Sequence, residues 1–125
     1  MALIPLGFWA ASGGAAGGPY WIATLGGSGA DYSSAVAVDS LDNNYVLGYT
    51  ISAGAGNYDF LIIKRNTEGV VQWQRTLGGT GNDRGYGLAI DSSDNLYVCG
   101  YSTISGEFDE RFLVAKYNSS GTIQW

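Results

Sequence analysis

Carboxylates are the side chains of this chain best placed, by type and spacing, to do chemistry. Asp39-x-x-Asp42-Asn43 and Asp91-x-x-Asp94-Asn95 have the outline of calcium loops. Asp59, Glu107, Asp109 and Glu110 are the acids from which a glycoside-cleaving pair would have to be drawn. The two Asp-rich segments lack the glycine and the distant bidentate Glu of an EF-hand. They read instead as turns in which an Asx side chain bonds its own backbone. The other acids do not recur at a defined spacing, so no catalytic residue is assigned. Leu25-Gly26-Gly27-Ser28-Gly29 has no Lys-Ser/Thr after it and opens no helix, so it reads as a connecting loop rather than a phosphate cradle. Histidine is absent, which removes the commonest general base and metal ligand. Cys99, the single cysteine, is expected to be a small buried hydrophobe on a strand. It forms no internal disulfide and so does not report a redox compartment. No enzyme activity, metal or cofactor is expected.

Aromatic side chains are the other candidates, because their rings can stack on sugars. Most recur in register along the chain, as core positions of a repeat do. Tyr20, Tyr32, Tyr58, Tyr86 and Tyr117 have no aromatic counterpart, which makes them the better candidates for surface contacts.

These residues sit on a chain that repeats itself at an offset of 52 residues, without a gap, from Trp21 through Trp73 to Trp125. Thr24-Leu25-Gly26-Gly27 returns as Thr76-Leu77-Gly78-Gly79, Tyr45-Val46 as Tyr97-Val98, and Phe60-Leu61 as Phe112-Leu113. Between residues 22–73 and 74–125, about 23 of 52 positions are identical. A period of this length signals stacked supersecondary units, none of which buries its apolar face alone.

Composition agrees with a globular chain: 46% hydrophobic, 14% charged, with 20 glycines acting as punctuation between short strands. The net charge is −5 and no Lys/Arg cluster exists, which argues against nucleic acid or an anionic membrane as partner.

Each copy reads as four short strands. In the first, residues 34–39, 44–50, 59–65 and 70–77 carry the strand patterns, and turn residues fill 40–43 and 66–69. Residues 59–65 are nearly all apolar, as in a strand covered on both faces. Four antiparallel strands per unit make a β-propeller blade. The expected fold is all-β, with blades over 21–73 and 74–125 that complete a closed propeller by homo-oligomerisation.

The runs "TLGGSGADYSSAVAVDSLDNNYVLGYT" and "DFLIIKRNTEGVVQW" resemble the bacterial β-propeller repeat known as the SBBP repeat, and both copies fit over 22–125. The resemblance implies a scaffold fold and assigns no catalytic residue. Propellers close with typically 4–8 blades, and two copies fall short of that number. Three chains would give six blades, so a homotrimer is favoured. The last copy stops at Trp125 midway along its fourth strand, and residues 20–25 read as what comes next. Tyr20, Trp21, Ile22, Leu25, Ile123 and Trp125 are therefore expected to close a blade between chains, removing an open sheet edge.

Residues 1–20 are of another kind. Leu3, Ile4, Leu6, Phe8 and Trp9 form an apolar anchor, followed by a Gly/Ala tether. No basic residue precedes the run, Pro5 interrupts it, and it is too short to cross a membrane. It reads as a docking peptide buried in a partner. Its start, "PLGFWAASGG", resembles the N-termini of virion structural proteins of tailed phages, notably cyanophages. That resemblance implies a non-enzymatic virion component at a tail fibre, baseplate or capsid, docked on other virion proteins through residues 1–20. The alternative is a carbohydrate-binding propeller module, or part of a bacterial surface or secreted propeller protein. Ligand-facing loops are expected where the copies diverge most, at Asn57, Tyr58 and Asp59 and at Glu107, Phe108 and Asp109, with a host-surface glycan as candidate ligand.

Overall fold

The computed structural model describes residue 24, residues 26–103 and residues 109–125. Seven strands follow in chain order: β1 (Asp31–Val38), β2 (Asn44–Thr50), β3 (Asp59–Arg65), β4 (Val71–Leu77), β5 (Asp83–Ile90), β6 (Leu96–Ser102) and β7 (Arg111–Tyr117). They form two antiparallel meanders, β1-β2-β3-β4 and β5-β6-β7.

The turns explain the meander. Asp42 and Asp94 adopt φ of 61° and 57°, a left-handed conformation that Asp tolerates better than most residues. Asp39 Oδ1 accepts the N–H groups of Leu41 and Asn43 at 3.0 and 2.9 Å, and Asp91 Oδ1 does the same for Ser93 and Asn95. The segments with a calcium-loop outline are thus Asx turns between the first two strands of each sheet. At the next turn, Asn66 Oδ1 holds the N–H groups of Glu68 and Val70 while Gly69 takes φ of 80°. Asn118 and Gly121 repeat that arrangement.

β2 and β3 have the bounds expected from the sequence. β1 begins earlier than expected, because residues 31–33 pair with β2 across a bulge between Ser33 and Ala35. The bulge brings the Tyr32 carbonyl oxygen so close to Gly48 that a Cβ there would lie 1.8 Å from it. Only glycine fits at that crossing.

The second sheet corrects the expectation of two four-stranded blades: it has three strands. Beyond β7, Ile123 makes an isolated bridge to Tyr117. Lys116 N–H donates to the Trp125 carbonyl at 2.9 Å and Gln124 N–H to the Lys116 carbonyl at 2.7 Å. These pairings are too few to make a strand. The described residues close no ring within the chain.

The core lies between the sheets. β5 rests against β1, β2 and β3. Tyr45, Leu47, Phe60 and Ile62 of the first sheet meet Leu96, Val98, Ala115 and Tyr117 of the second, each no more than 3% exposed. The first sheet contributes one face and the second contributes the opposite one. Counterparts 52 residues apart therefore have different fates. Tyr117, expected at the surface, is buried at 3% because it lies on the covered face. Cys99, expected to be buried like its counterpart Leu47, is exposed because, among the described residues, no sheet lies against its face of the second sheet. β3 is buried along its whole length, as its sequence indicated.

Candidate functional site

The ends of four strands bring a tyrosine-rich surface together. Tyr32 near the start of β1 is the register partner of Tyr49 near the end of β2, and their rings stack with centroids 4.9 Å apart. Tyr58, just before β3, meets both edge-on, at 6.2 Å from Tyr32 and 5.4 Å from Tyr49. The second sheet supplies Arg84, whose register partner is Tyr101, and Tyr86, 6.1 Å from Tyr49 and 5.9 Å from Tyr101.

Arg84 is the centre of this cluster. Its guanidinium lies 4.5 Å from the Tyr58 ring centroid, 5.2 Å from Tyr49 and 6.0 Å from Tyr101, all within cation–π range. Burial alone would lower its pKa, but the hydrogen bond with Tyr86 and the surrounding tyrosines outweigh that and raise it. Burial likewise pushes the Tyr101 hydroxyl up, against the pull of Arg84. The cluster therefore places one fixed positive charge, the Arg84 guanidinium, among tyrosine rings. Tyr32 and Tyr86 remain 48% and 49% exposed, so ring edges, ring faces and hydroxyls are open to a ligand.

Asn57 is exposed beside this surface and Asp109 is exposed in the second copy. Asp59 does not face outward: it is 1% exposed, and its Oδ2 accepts the Gly56 N–H at 3.1 Å. Burial first, and the nearby charge of Asp83 as well, push its carboxyl above the usual range. Asp83, fully buried, holds the Gly79 N–H at 2.8 Å, and Asp31 holds the Gly27 N–H at 2.9 Å. These acids fasten the glycine-rich loops. Glu107, Phe108, Tyr20, Trp21, Ile22, Leu25 and the anchor Leu3, Ile4, Leu6, Phe8 and Trp9 lie outside the described residues. Ile123 and Trp125 are exposed, at 50% and 63%. Among the described residues, no group of three or more Asp, Glu, Cys or His is arranged to hold a metal ion.

Both sheets thus pair the same repeat positions in the same register, with an Asp-fastened Gly-Gly loop leading into each first strand. A family model described as the SBBP β-propeller repeat matches residues 21–54 and 72–107, more than half of the chain. The chain belongs to the SBBP β-propeller repeat family. Among curated proteins, none matches it.

Within an SBBP repeat pair, the tyrosine cluster is a departure from symmetry. Arg84 replaces Tyr32 and Tyr86 replaces Ser34 at positions 52 residues apart. Reading the sequence flagged Tyr32, Tyr58 and Tyr86 because they do not recur. It missed Arg84, and it assigned Tyr49 and Tyr101 to packing because they do. The signal that could have found Arg84 was the same break in the repeat, at the register partner of Tyr101.

Proposed function

We propose that the chain is a non-enzymatic building block of an oligomeric β-propeller that attaches to a surface through its tyrosine–arginine end, with a carbohydrate as ligand. The observation that carries this reading is the half-exposed cluster of five tyrosines around Arg84. Tyrosine faces match the apolar C–H faces of sugars, phenol hydroxyls and a guanidinium match sugar hydroxyls, and such rings give area at low entropic cost. On a glycan array the intact protein is expected to bind, and Tyr32→Ala and Tyr58→Ala are each expected to weaken binding about tenfold or more, on the order of 1–3 kcal/mol for a stacked ring. Absence of glycan binding by the intact protein would sink the carbohydrate reading.

The setting we propose is a virion appendage, a tail fibre, baseplate or capsid attachment, docked on other virion proteins through residues 1–20. Its support is the likeness of those residues to phage virion leaders and their apolar, tethered composition. The second setting, a bacterial surface or secreted propeller, rests on the family alone. Deleting residues 2–18 is expected to leave the strand signal in circular dichroism and the number of chains in the oligomer unchanged while abolishing capture of the docking partner from purified virions. Loss of the fold on deletion would refute a separate docking role.

A further inference from the structure

The two sheets meet in one defined way: the first offers the face of Tyr45, Leu47, Phe60 and Ile62, and the second offers the opposite face, with Leu88 and Ile90 packed against the shared core. Each sheet also has a second face against which no other sheet of the described residues lies. On the second sheet this face carries Tyr97, Cys99, Phe112, Val114, Lys116 and Trp125. These are the repeat counterparts of Tyr45, Leu47, Phe60, Ile62, Lys64 and Trp73, so it is another copy of the gripping face. Its exposure reverses that of the original: Phe112 is 99% exposed where Phe60 is 0%, and Val114 is 51% exposed where Ile62 is 0%. On the first sheet Leu61, Ile63 and Arg65 of β3 are buried on this face, and its open part is the β1 side, with Val36 and Val38 68% and 56% exposed. These are the counterparts of Leu88 and Ile90, so this is another copy of the gripped face.

We infer that these two open faces are the two halves of one head-to-tail interface, occupied by a second copy of this chain. This rests on the oligomeric part of the function proposed above and names its contacts. A chain that carries both halves of a non-self-complementary contact on different surfaces makes a heterologous assembly, closed if the rotation permits. Apolar patches of this kind mark interaction sites.

The gripping half already stands in its bound geometry. Tyr97 and Trp125 meet edge-on at 6.2 Å and 65°, as Tyr45 and Trp73 do at 5.7 Å and 69°. Lys116 Nζ lies 5.0 Å over the Tyr97 ring, as Lys64 Nζ lies 4.9 Å over Tyr45. The gripped half is equally prepared. Within the chain, the Ser40 N–H and hydroxyl donate to the Asp94 carboxylate at 2.9 and 2.6 Å. The Trp73 ring lies on Gly121, so close that a Cβ there would sit 2.7 Å from it. Shifted by one repeat, Ser92 donates to Asp42 of the next copy and Trp125 lies on its Gly69. Asp42 and Asp94 share one turn conformation, as do Gly69 and Gly121. The gripping half requires no rearrangement of its aromatic pair or its lysine, which favours association.

The test is native mass spectrometry of the full chain and two double variants, altered only at exposed positions and checked for fold by circular dichroism. Wild type is expected to be a closed oligomer, three chains for a six-bladed ring. Phe112→Asp/Val114→Glu and Val36→Glu/Val38→Glu are each expected to be monomeric alone and to form one-to-one pairs when mixed, since each keeps the half the other lacks. A monomeric wild type at tens of micromolar would overturn the inference. So would either variant remaining oligomeric alone, or a mixture that does not pair. A covalent check follows from Gly85, where a Cβ would lie 2.6 Å from Leu47 Cδ1. The matching inter-chain pair is Ser33 and Cys99, so Ser33→Cys is expected to cross-link copies under mild oxidation into a ladder ending at the oligomer number, and its failure to do so counts against the interface. Glycan binding and assembly of the wild-type chain separate the two readings: binding by a monomeric wild type refutes only the interface, and an assembled wild type that binds no glycan refutes only the carbohydrate ligand.

Discussion

Phe60→Ala is expected to destabilise the chain by about 3–5 kcal/mol, the range for truncating a fully buried aromatic, whereas Phe112→Ala at the same repeat position should change the stability of the separated chain by no more than about 0.5 kcal/mol. Phe60 has no solvent exposure and belongs to the cluster that joins the two sheets. Its removal costs the transfer free energy of the ring and leaves a cavity on a surface whose rigid neighbours, Leu47 and Ile62, cannot collapse fully. Phe112 occupies the equivalent place in β7 with 99% of its surface in solvent. Urea unfolding of both variants below the assembly concentration checks the contrast. Equal losses would show that the exposed face is buried in some other way.

Asp39→Ala is expected to cost a similar amount, about 3–5 kcal/mol, because it removes one partner of a buried ion pair. Asp39 Oδ2 lies 3.1 Å from Lys64 Nζ, with side-chain exposures of 1% for Asp39 and 11% for Lys64. The same carboxylate accepts from the Leu41 and Asn43 backbones, from Asn43 Nδ2 and from the Tyr45 hydroxyl. Alanine leaves these donors and the lysine without their acceptor at the point where the β1–β2 turn meets the core. Lys64 Nζ keeps the Ser119 carbonyl, 3.2 Å away, and the Tyr45 side chain, but no counter-charge from position 39. Asp91→Ala should cost less, since Asp91 is solvent-accessible and its lysine, Lys116, stands 3.9 Å away.

The same network sets an acid dependence. Burial by itself would raise the Asp39 carboxyl, but hydrogen bonds from Asn43, Lys64 and Leu41 hold it at about 2, below its ordinary 3.8. The folded state therefore keeps a charge that the unfolded chain neutralises first. The resulting stability, about 2 kcal/mol by linkage, is fully present above pH 3.8 and is lost as pH falls from there towards 2. In Asp39→Ala the slope of unfolding free energy against pH in that window should flatten, and an unchanged slope would contradict the assignment.

Much of the fold was legible because a repeat reports each element twice. The bounds of β2 and β3 followed from alternation and from turn residues whose side chains bond their own backbone. Self-comparison could not say which face of which copy is covered. Leu47 and Cys99 align, as do Phe60 and Phe112, yet each pair splits between core and surface because the second sheet turns its opposite face to the first. The site was half legible for a related reason. Tyr32, Tyr58 and Tyr86 stood out by breaking the period, while Tyr49 and Tyr101 were hidden by obeying it. Arg84 drew no notice because an isolated arginine in a weakly charged chain looks like solubilising surface until the register places it beside Tyr101.

Residues 78–82 join β4 to β5 by a short link, and this sets the two kinds of sheet-to-sheet contact apart thermodynamically. A tether of that length holds the second sheet near the first at an effective concentration on the order of millimolar, so the contact inside the chain is indifferent to dilution. A contact of the same design between chains has no tether and obeys mass action. In the proposed assembly one surface design would serve as a permanent joint in one place and as a dose-dependent one in the other, with the amount of protein present deciding how much of it is shut.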